Sequence, residues 1–116
     1  MRHDPNKVAV LQALGRHIGR ARGIKASALV REVRQPLGIA GLLNERRLRI
    51  CISELREDGI AVCGHPRTGY FIAENNEELE ESCQFLRTRA MHSLVLESRL
   101  RKIPLPDLLG QLRLPT

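Results

Sequence analysis

The chain contains no tryptophan, and its aromatic side chains make up 3% of 116 residues. Proteins that bind single-stranded nucleic acid or RNA loops stack bases on aromatic rings, so this scarcity argues against such a surface. No apolar run approaches about 18 residues, and we therefore expect no membrane-spanning helix and no membrane partner. The N-terminal stretch MRHDPNKVAV also lacks the apolar segment of a signal peptide.

The cysteines are three, an odd number without regular spacing, which is typical of free thiols in a reducing cytoplasm. Cys51 and Cys83 fall on apolar helical faces and are interpreted as small buried side chains. Cys63 and His65 are two possible metal ligands, but no second close pair completes a four-ligand zinc site. No catalytic constellation and no phosphate-binding glycine loop is present in the sequence. We therefore expect that the protein is not an enzyme and has no metal, cofactor or small-molecule site. We expect it to lie in the cytoplasm, either of a bacterium or of the host of a phage.

Charge is divided unevenly along the chain, whose net charge is +6. Residues 1–73 carry 13 Lys and Arg against 6 Asp and Glu, whereas residues 74–116 carry 6 against 7. A basic excess confined to one part of a chain is typical of proteins that bind nucleic-acid phosphates. A solvated basic surface without a partner is the alternative at this point.

The apolar pattern predicts a mainly α-helical chain with one small β-hairpin. Its first part is expected to contain three helices and a hairpin, at residues 5–23, 25–35, 44–58 and 60–73. The glycine-containing stretch PLGIAGLL between the second and third helices is expected to be a loop that packs on the core.

Residues 44–58, NERRLRICISELRED, give the clearest helical pattern. Asn44 is expected to cap this helix because its side-chain oxygen can accept an orphan backbone N–H. Gly59 is expected to end the helix in the left-handed conformation. The predicted core face is an apolar stripe of Leu48, Cys51, Ile52 and Leu55.

Three helices followed by a hairpin is the element order of a winged helix-turn-helix domain. In that arrangement the third helix enters the DNA major groove, and the hairpin, called the wing, reaches the backbone or minor groove. We therefore assign residues 1–73 to a DNA-binding domain, with the recognition helix at 44–58 and the wing at 60–73.

The face of the recognition helix opposite Leu48 carries side chains suited to base edges. Arginine can bind guanine in a bidentate manner, serine can donate or accept, and isoleucine can meet a thymine methyl. Arg47 lies at the edge of this face, either on phosphate or in solvent, and Arg67 at the wing tip either contacts DNA or lies in a solvated turn. Arg56, beside Glu57 and Asp58, is interpreted as structural. The predicted DNA contacts are Arg46, Arg47, Arg49, Ile50, Ser53, His65, Arg67 and Thr68.

The stretch NERRLRICISELREDGIAV, with GYFIA after it, resembles the winged-helix family that includes the N-terminal domain of the biotin operon repressor. It is still more similar to small phage and prophage winged-helix proteins. The resemblance covers residues 44–90 well and residues 5–40 only by helix order. It implies a DNA-binding regulator of transcription or a replication-associated protein. Two departures are a longer connection before Asn44 and the pair Asn44-Glu45 where the family usually has Ser-Arg.

A long helix is expected at residues 74–103, with Asn75 or Asn76 as its cap. Because it is apolar on nearly every side over residues 90–96, we expect it to form a homodimer or to dock on a partner. The Pro- and Leu-rich tail, residues 104–116, is either loosely ordered or bound to a neighbouring chain. The predicted dimer contacts are Leu86, Ala90, Met91, Leu94 and Leu96.

Two classes of function remain open. The first is duplex DNA binding by the recognition helix and the wing. The second is a winged helix that uses its long helix to dock on another protein without reading DNA. The basic excess in residues 1–73 favours the first class, because a pure interaction module does not require it.

Overall fold

The computed structural model describes residues 5–37 and 43–112. In this part the protein is mainly helical with a small two-stranded antiparallel sheet, as the sequence predicts. Residues 38–42 of the expected PLGIAGLL loop lie outside the described part. The elements are α1 (Pro5–Leu14), a 3-10 turn (Arg20–Arg22), α2 (Ala26–Leu37), α3 (Glu45–Glu57), β1 (Val62–His65), β2 (Gly69–Ile72), α4 (Asn76–Arg101) and α5 (Leu105–Leu112).

Contacts divide the chain into two units, Met1–Ser82 and Cys83–Thr116. The core of the first unit lies between α1, α2 and α3, with β1 and β2 packed on it. Each of the three helices buries one apolar stripe, so the outward faces are fixed by what lies beneath them. The buried residues of this core are Val10, Ala13, Leu14, Leu29, Val30, Val33, Leu43, Leu48, Cys51, Ile52, Leu55 and Val62.

Both ends of α3 are capped as the sequence predicts. The side-chain oxygen of Asn44 accepts the backbone N–H of Arg47 at 2.7 Å. At the other end Gly59 has a φ of +89°, and the N–H of Ile60 donates to the carbonyl of Leu55 at 3.0 Å. This pattern satisfies carbonyls that a helix otherwise leaves without partners.

The first helix is shorter than the expected 5–23, because α1 ends at Leu14. The following segment, residues 17–24, lies along β2 instead. The N–H of Gly19 donates to the carbonyl of Ile72, and the N–H of Ile72 donates to the carbonyl of His17, each at 2.8 Å. Ile24 and Tyr70 exchange two backbone hydrogen bonds, at 2.8 and 2.7 Å. Helical spacing in the sequence does not reveal that this backbone pairs with a strand some fifty residues later, so the expectation was wrong here.

Glu32 of α2 holds the start of this segment. Its carboxylate accepts the Nε of Arg16 at 2.9 Å and faces Nε2 of His17 at 3.0 Å. Burial alone would raise the pKa of Glu32, but the hydrogen bonds from Arg16 and His17 outweigh it and lower the pKa. The other ring nitrogen of His17, Nδ1, lies 2.8 Å from the carbonyl of Arg22. The segment is therefore anchored at both its beginning and its 3-10 turn.

The hairpin pairs Val62 with Ile72 and His65 with Gly69, so its first strand begins two residues after residue 60, where the expected hairpin starts. A three-residue loop, 66–68, connects the strands, with the N–H of Thr68 donating to the carbonyl of His65 at 3.2 Å. Gly69 follows with a φ of +80°. A turn followed by a left-handed glycine is a common way to close a three-residue hairpin loop.

The start of α4 is built around the Glu78 carboxylate, whose residue is 9% exposed. Glu78 donates its N–H to the Asn75 side chain at 2.9 Å, so Asn75 is the cap. Its carboxylate accepts the N–H of Glu74 at 3.0 Å and the N–H of Arg20 at 3.1 Å. Since both bonds favour the ionised form, they lower the pKa of Glu78. One side chain thus joins the 3-10 turn to α4.

In the second unit, α4 ends at Arg101 and α5 follows after a short turn. Lys102 has a φ of +58°, and the N–H of Ile103 donates to the carbonyl of Ser98 at 3.0 Å. Leu108 of α5 is 1% exposed. The tail that we expected to be loosely ordered or bound to a neighbour therefore contains a helix, at Leu105–Leu112.

Candidate nucleic-acid interface

The outward face of α3 begins with a basic and polar surface. Leu48 and Cys51, on the inward face, are fully buried, and this burial fixes the direction of the opposite side chains. Among the latter, Ile50 is 40% exposed, as the sequence predicts. Residues 46 and 50, and residues 49 and 53, lie four apart, and 46 and 49, and 50 and 53, lie three apart, which brings the set onto one strip of surface. The exposed members of this surface, called the α3 face below, are Arg46, Arg49, Ile50 and Ser53.

The charges of the α3 face are available to a ligand. Within the described residues, neither Arg46 nor Arg49 has an ion pair or a side-chain hydrogen bond. Arg47 is half-buried at the edge of the strip. The face becomes acidic only in the last turn, where Glu57 is exposed. The first turns of the helix are therefore the part that suits an anionic partner.

Arg56 belongs to the scaffold. Its Nε donates to the carbonyl of Val62 at 2.8 Å, which ties the end of α3 to β1. The structural role that we predicted is confirmed, but the partner is a backbone carbonyl and not a carboxylate. The carboxylate of Asp58 instead pairs with Lys7 of α1 at 2.5 Å.

The wing residues form a second group on the hairpin. His65 and Arg67 are exposed, and Thr68 is half-buried. The N–H of Arg67 donates to Nδ1 of His65 at 3.0 Å, and the Thr68 hydroxyl donates to the carbonyl of Gly69 at 3.2 Å. The Arg67 guanidinium has no ion pair within the part of the chain that the structure describes. Of the three, Arg67 is thus the side chain best placed to bind an anion.

Two glycines set the position of the wing tip. A side chain at Gly23 would place a Cβ atom 2.2 Å from the carbonyl oxygen of Thr68, and one at Gly69 would lie 2.2 Å from the carbonyl oxygen of Ile24. Lys25 also donates its Nζ to the carbonyl of Pro66. The tip is thus held against residues 23–25, a restraint that the sequence reasoning did not identify.

A groove of about 430 Å³ lies between α2 and the beginning of α3. Arg31 and Arg34 line it together with Ser27, and Asn44 and Glu45 form its other side. We assigned no function to these α2 residues from the sequence. Ser27, Arg31 and Arg34 are spaced by four and three residues, and this spacing alone could have indicated that they share the side of α2 away from the core. The groove adds two arginines beside the N-terminus of α3.

The predicted dimer residues lie on α4. Leu86 is 46% exposed, as is Leu96, and Met91 is 36% exposed. Ala90 is exposed and Leu94 is half-buried. Cys83, which we expected to be buried, is exposed, whereas Cys51 and Cys63 are buried. The Cys83 expectation was wrong because an apolar stripe on a helix does not show which of its members a neighbour covers.

No metal-binding group of three or more His, Cys, Asp or Glu side chains occurs among the described residues. Over the same residues, the helices are too short or too polar to cross a membrane. Comparison of the chain with protein-family models, curated proteins and solved structures gives no match. Functional inference therefore depends on the geometry of the α3 face, the wing and the groove.

Proposed function

We propose that residues 5–73 form a winged helix-turn-helix domain that binds duplex DNA. In this proposal α3 enters the major groove and the β1–β2 hairpin is the wing, in contact with the backbone or minor groove. The protein then acts as a regulator of transcription or in replication, in the manner of the small phage proteins that its sequence resembles. The observation that carries the proposal is the α3 face, where Arg46 and Arg49, which have no ion pair among the described residues, lie beside the exposed Ile50.

The distribution of groups along α3 supports this orientation. A recognition helix contacts bases mainly through its N-terminal residues, and here those turns carry Arg46, Arg47 and Arg49 beside Glu45, while the exposed Glu57 lies in the last turn. Arg49 is suited to bidentate bonds with guanine, and Ile50 to the thymine methyl. Ile50 lies between two arginines and is 40% exposed. Contact with water does not stabilise this apolar side chain, whereas it would fit the apolar part of a groove.

Residues outside α3 are placed to position the domain on the backbone. The groove arginines, Arg31 and Arg34, lie beside the α3 N-terminus, where phosphates are favoured by the helix dipole as well. The wing tip carries Arg67 and is held by residues 23–25. The segment 17–24 pairs with β2, so that the hairpin is supported on its second edge.

The test is a salt titration of binding to duplex DNA. We expect the logarithm of the affinity to fall linearly with the logarithm of the salt concentration, because binding releases condensed counterions. The double substitution Arg46→Ala with Arg49→Ala should weaken binding at every salt concentration. Arg99→Ala with Arg101→Ala is the matched control, because it also removes two exposed arginines, both from the last turn of α4, and it should leave the affinity nearly unchanged.

Absence of binding at low salt would contradict the proposal. It would favour the second class, a winged helix that docks on protein through α4. Equal weakening by the control and by the α3 variant would show that only total charge matters, and it would contradict the assignment of the α3 face.

A further inference from the structure

Four side chains follow one another along one face of α4. Leu79, Cys83, Leu86 and Ala90 are spaced by four, three and four residues, the spacing of a helix that packs against another helix. All are exposed, Leu79 at 37% and Leu86 at 46%. We call this set the α4 stripe.

Large and small side chains alternate along the α4 stripe. Suppose that a second copy of α4 lies antiparallel, with Leu86 of one copy opposite Cys83 of the other. In an antiparallel pair, the residue numbers of two facing residues always have the same sum, and 79 plus 90 equals 86 plus 83. Leu79 of each copy therefore lies opposite Ala90 of the other. Each leucine meets a small side chain, so the two helices interdigitate at close range. A parallel pair would place leucine opposite leucine and alanine opposite alanine.

Charge along the first part of α4 fits the same arrangement. The acidic residues Glu77, Glu80 and Glu81 lie near its start, and Arg87 and Arg89 follow along the helix. With Leu86 opposite Cys83, residues 77–81 of one copy face residues 88–92 of the other, so the acidic turns lie beside Arg89. A partner of a single charge sign would match only one of the two groups.

The closest complementary pair flanks the α4 stripe itself. Glu80 and Arg87 each follow a leucine of the stripe, so they lie on the same flank. In a two-fold antiparallel pair, equal flanks meet, and Glu80 of one copy lies about 3 Å along the axis from Arg87 of the other, at about 1.5 Å per residue. Within the described residues, neither side chain has an ion pair or side-chain hydrogen bond.

We propose that the α4 stripe is a self-association surface at which two copies of this chain pair antiparallel. Leu79, Cys83, Leu86 and Ala90 form the apolar seam, and Glu80–Arg87 pairs close one flank. This proposal is independent of DNA binding. It retains Leu86 and Ala90 from the sequence prediction. Met91 and Leu96 lie on other faces of the helix.

Disulfide cross-linking tests the direction of the pair. In a Cys83→Ser background, Leu79→Cys and Ala90→Cys are made as separate proteins of distinguishable size. Antiparallel pairing predicts cross-linking in a mixture of the two proteins and none in either protein alone. In that arrangement two copies of position 79 lie about 16 Å apart along the axis, too far for a disulfide. The remaining cysteines, Cys51 and Cys63, are buried.

A charge exchange tests the flanking pair by sedimentation equilibrium. Glu80→Arg alone and Arg87→Glu alone should each weaken dimerisation roughly tenfold, since two pairs are lost and like charges meet. The double exchange should restore the affinity to within about threefold. Glu77→Arg is the matched control, because Glu77 is exposed on α4 away from the stripe, and it should change the affinity little.

Each alternative outcome overturns the proposal. A monomer at all concentrations up to several hundred micromolar would show that the stripe does not self-associate. Cross-linking of each cysteine variant alone would show a parallel pair. Failure of the double exchange to restore dimerisation would remove the Glu80–Arg87 contact. Circular dichroism confirms that each variant retains its helix content.

Discussion

A side chain at Gly69 should destabilise the first unit more than one at any other glycine in a left-handed conformation. Its φ is +80°, and a Cβ atom would lie 2.2 Å from the carbonyl oxygen of Ile24. Two other glycines separate the cost of the left-handed conformation from the cost of the Cβ collision. Gly59 has a φ of +89° with nothing within 4 Å, whereas Gly23 has an ordinary φ of −58° but would place its Cβ 2.2 Å from the carbonyl oxygen of Thr68.

The magnitudes follow from these geometries. For Gly59→Ala, the left-handed conformation costs about 1–2 kcal/mol, and the reduced entropy of the unfolded chain returns about 0.4–1, so we expect a loss of about 1 kcal/mol. For Gly23→Ala only the collision applies. Relieving it separates Ile24 from Tyr70, whose two backbone bonds contribute about 1 kcal/mol each. Gly69→Ala combines both costs, and we expect about 3 kcal/mol.

The assay is urea denaturation of the three variants beside the unsubstituted protein. We expect the free energy of unfolding to decrease in the order Gly59→Ala, Gly23→Ala, Gly69→Ala, with the slope on urea unchanged. If Gly69→Ala cost no more than Gly59→Ala, the close packing of residues 23–25 on the wing would be refuted. If Gly23→Ala were neutral or stabilising, the same conclusion would follow.

Two further predictions concern binding and pH. Arg49→Ala should cost about 1–3 kcal/mol of DNA affinity and relax the preference at one base pair, whereas Arg67→Ala should weaken all sequences alike and reduce the salt slope by about 1; two silent substitutions would contradict both assignments. Hydrogen bonds from the N–H groups of Glu74 and Arg20 lower the pKa of Glu78 from its ordinary value of 4.5. The associated stability is therefore present above the unfolded pKa and lost as the pH falls through the lower, folded pKa. Urea denaturation between about pH 7 and pH 3 should show a steeper acid loss in the unsubstituted protein than in Glu78→Gln, and parallel profiles would disprove this role.

The α3 face was predictable because local rules determine it. The cap at Asn44, the left-handed Gly59 and the buried stripe around Leu48 depend on neighbours within one or two helical turns. Once that stripe is buried, Arg46 and Arg49 must point outward. The structure confirms these positions.

The positions that the sequence did not reveal depend on distant contacts. Residues 17–24 pair with β2, and Glu78 accepts the N–H of Arg20, 58 positions away in the chain. Helical spacing also failed to show that Cys83 is exposed, since an apolar stripe is equally consistent with a core and with a bare surface.

The sequence by itself determined the order of three helices, a hairpin and a long helix, the ends of α3 and the side of that helix that carries its arginines, because each follows from periodicity and capping chemistry over a few residues. Only the tertiary structure decided where the wing is held and which part of α4 stays uncovered. Those features are set by the approach of backbone segments far apart in sequence, such as Gly23 and Gly69 against their neighbours, and local propensity carries no information about that approach.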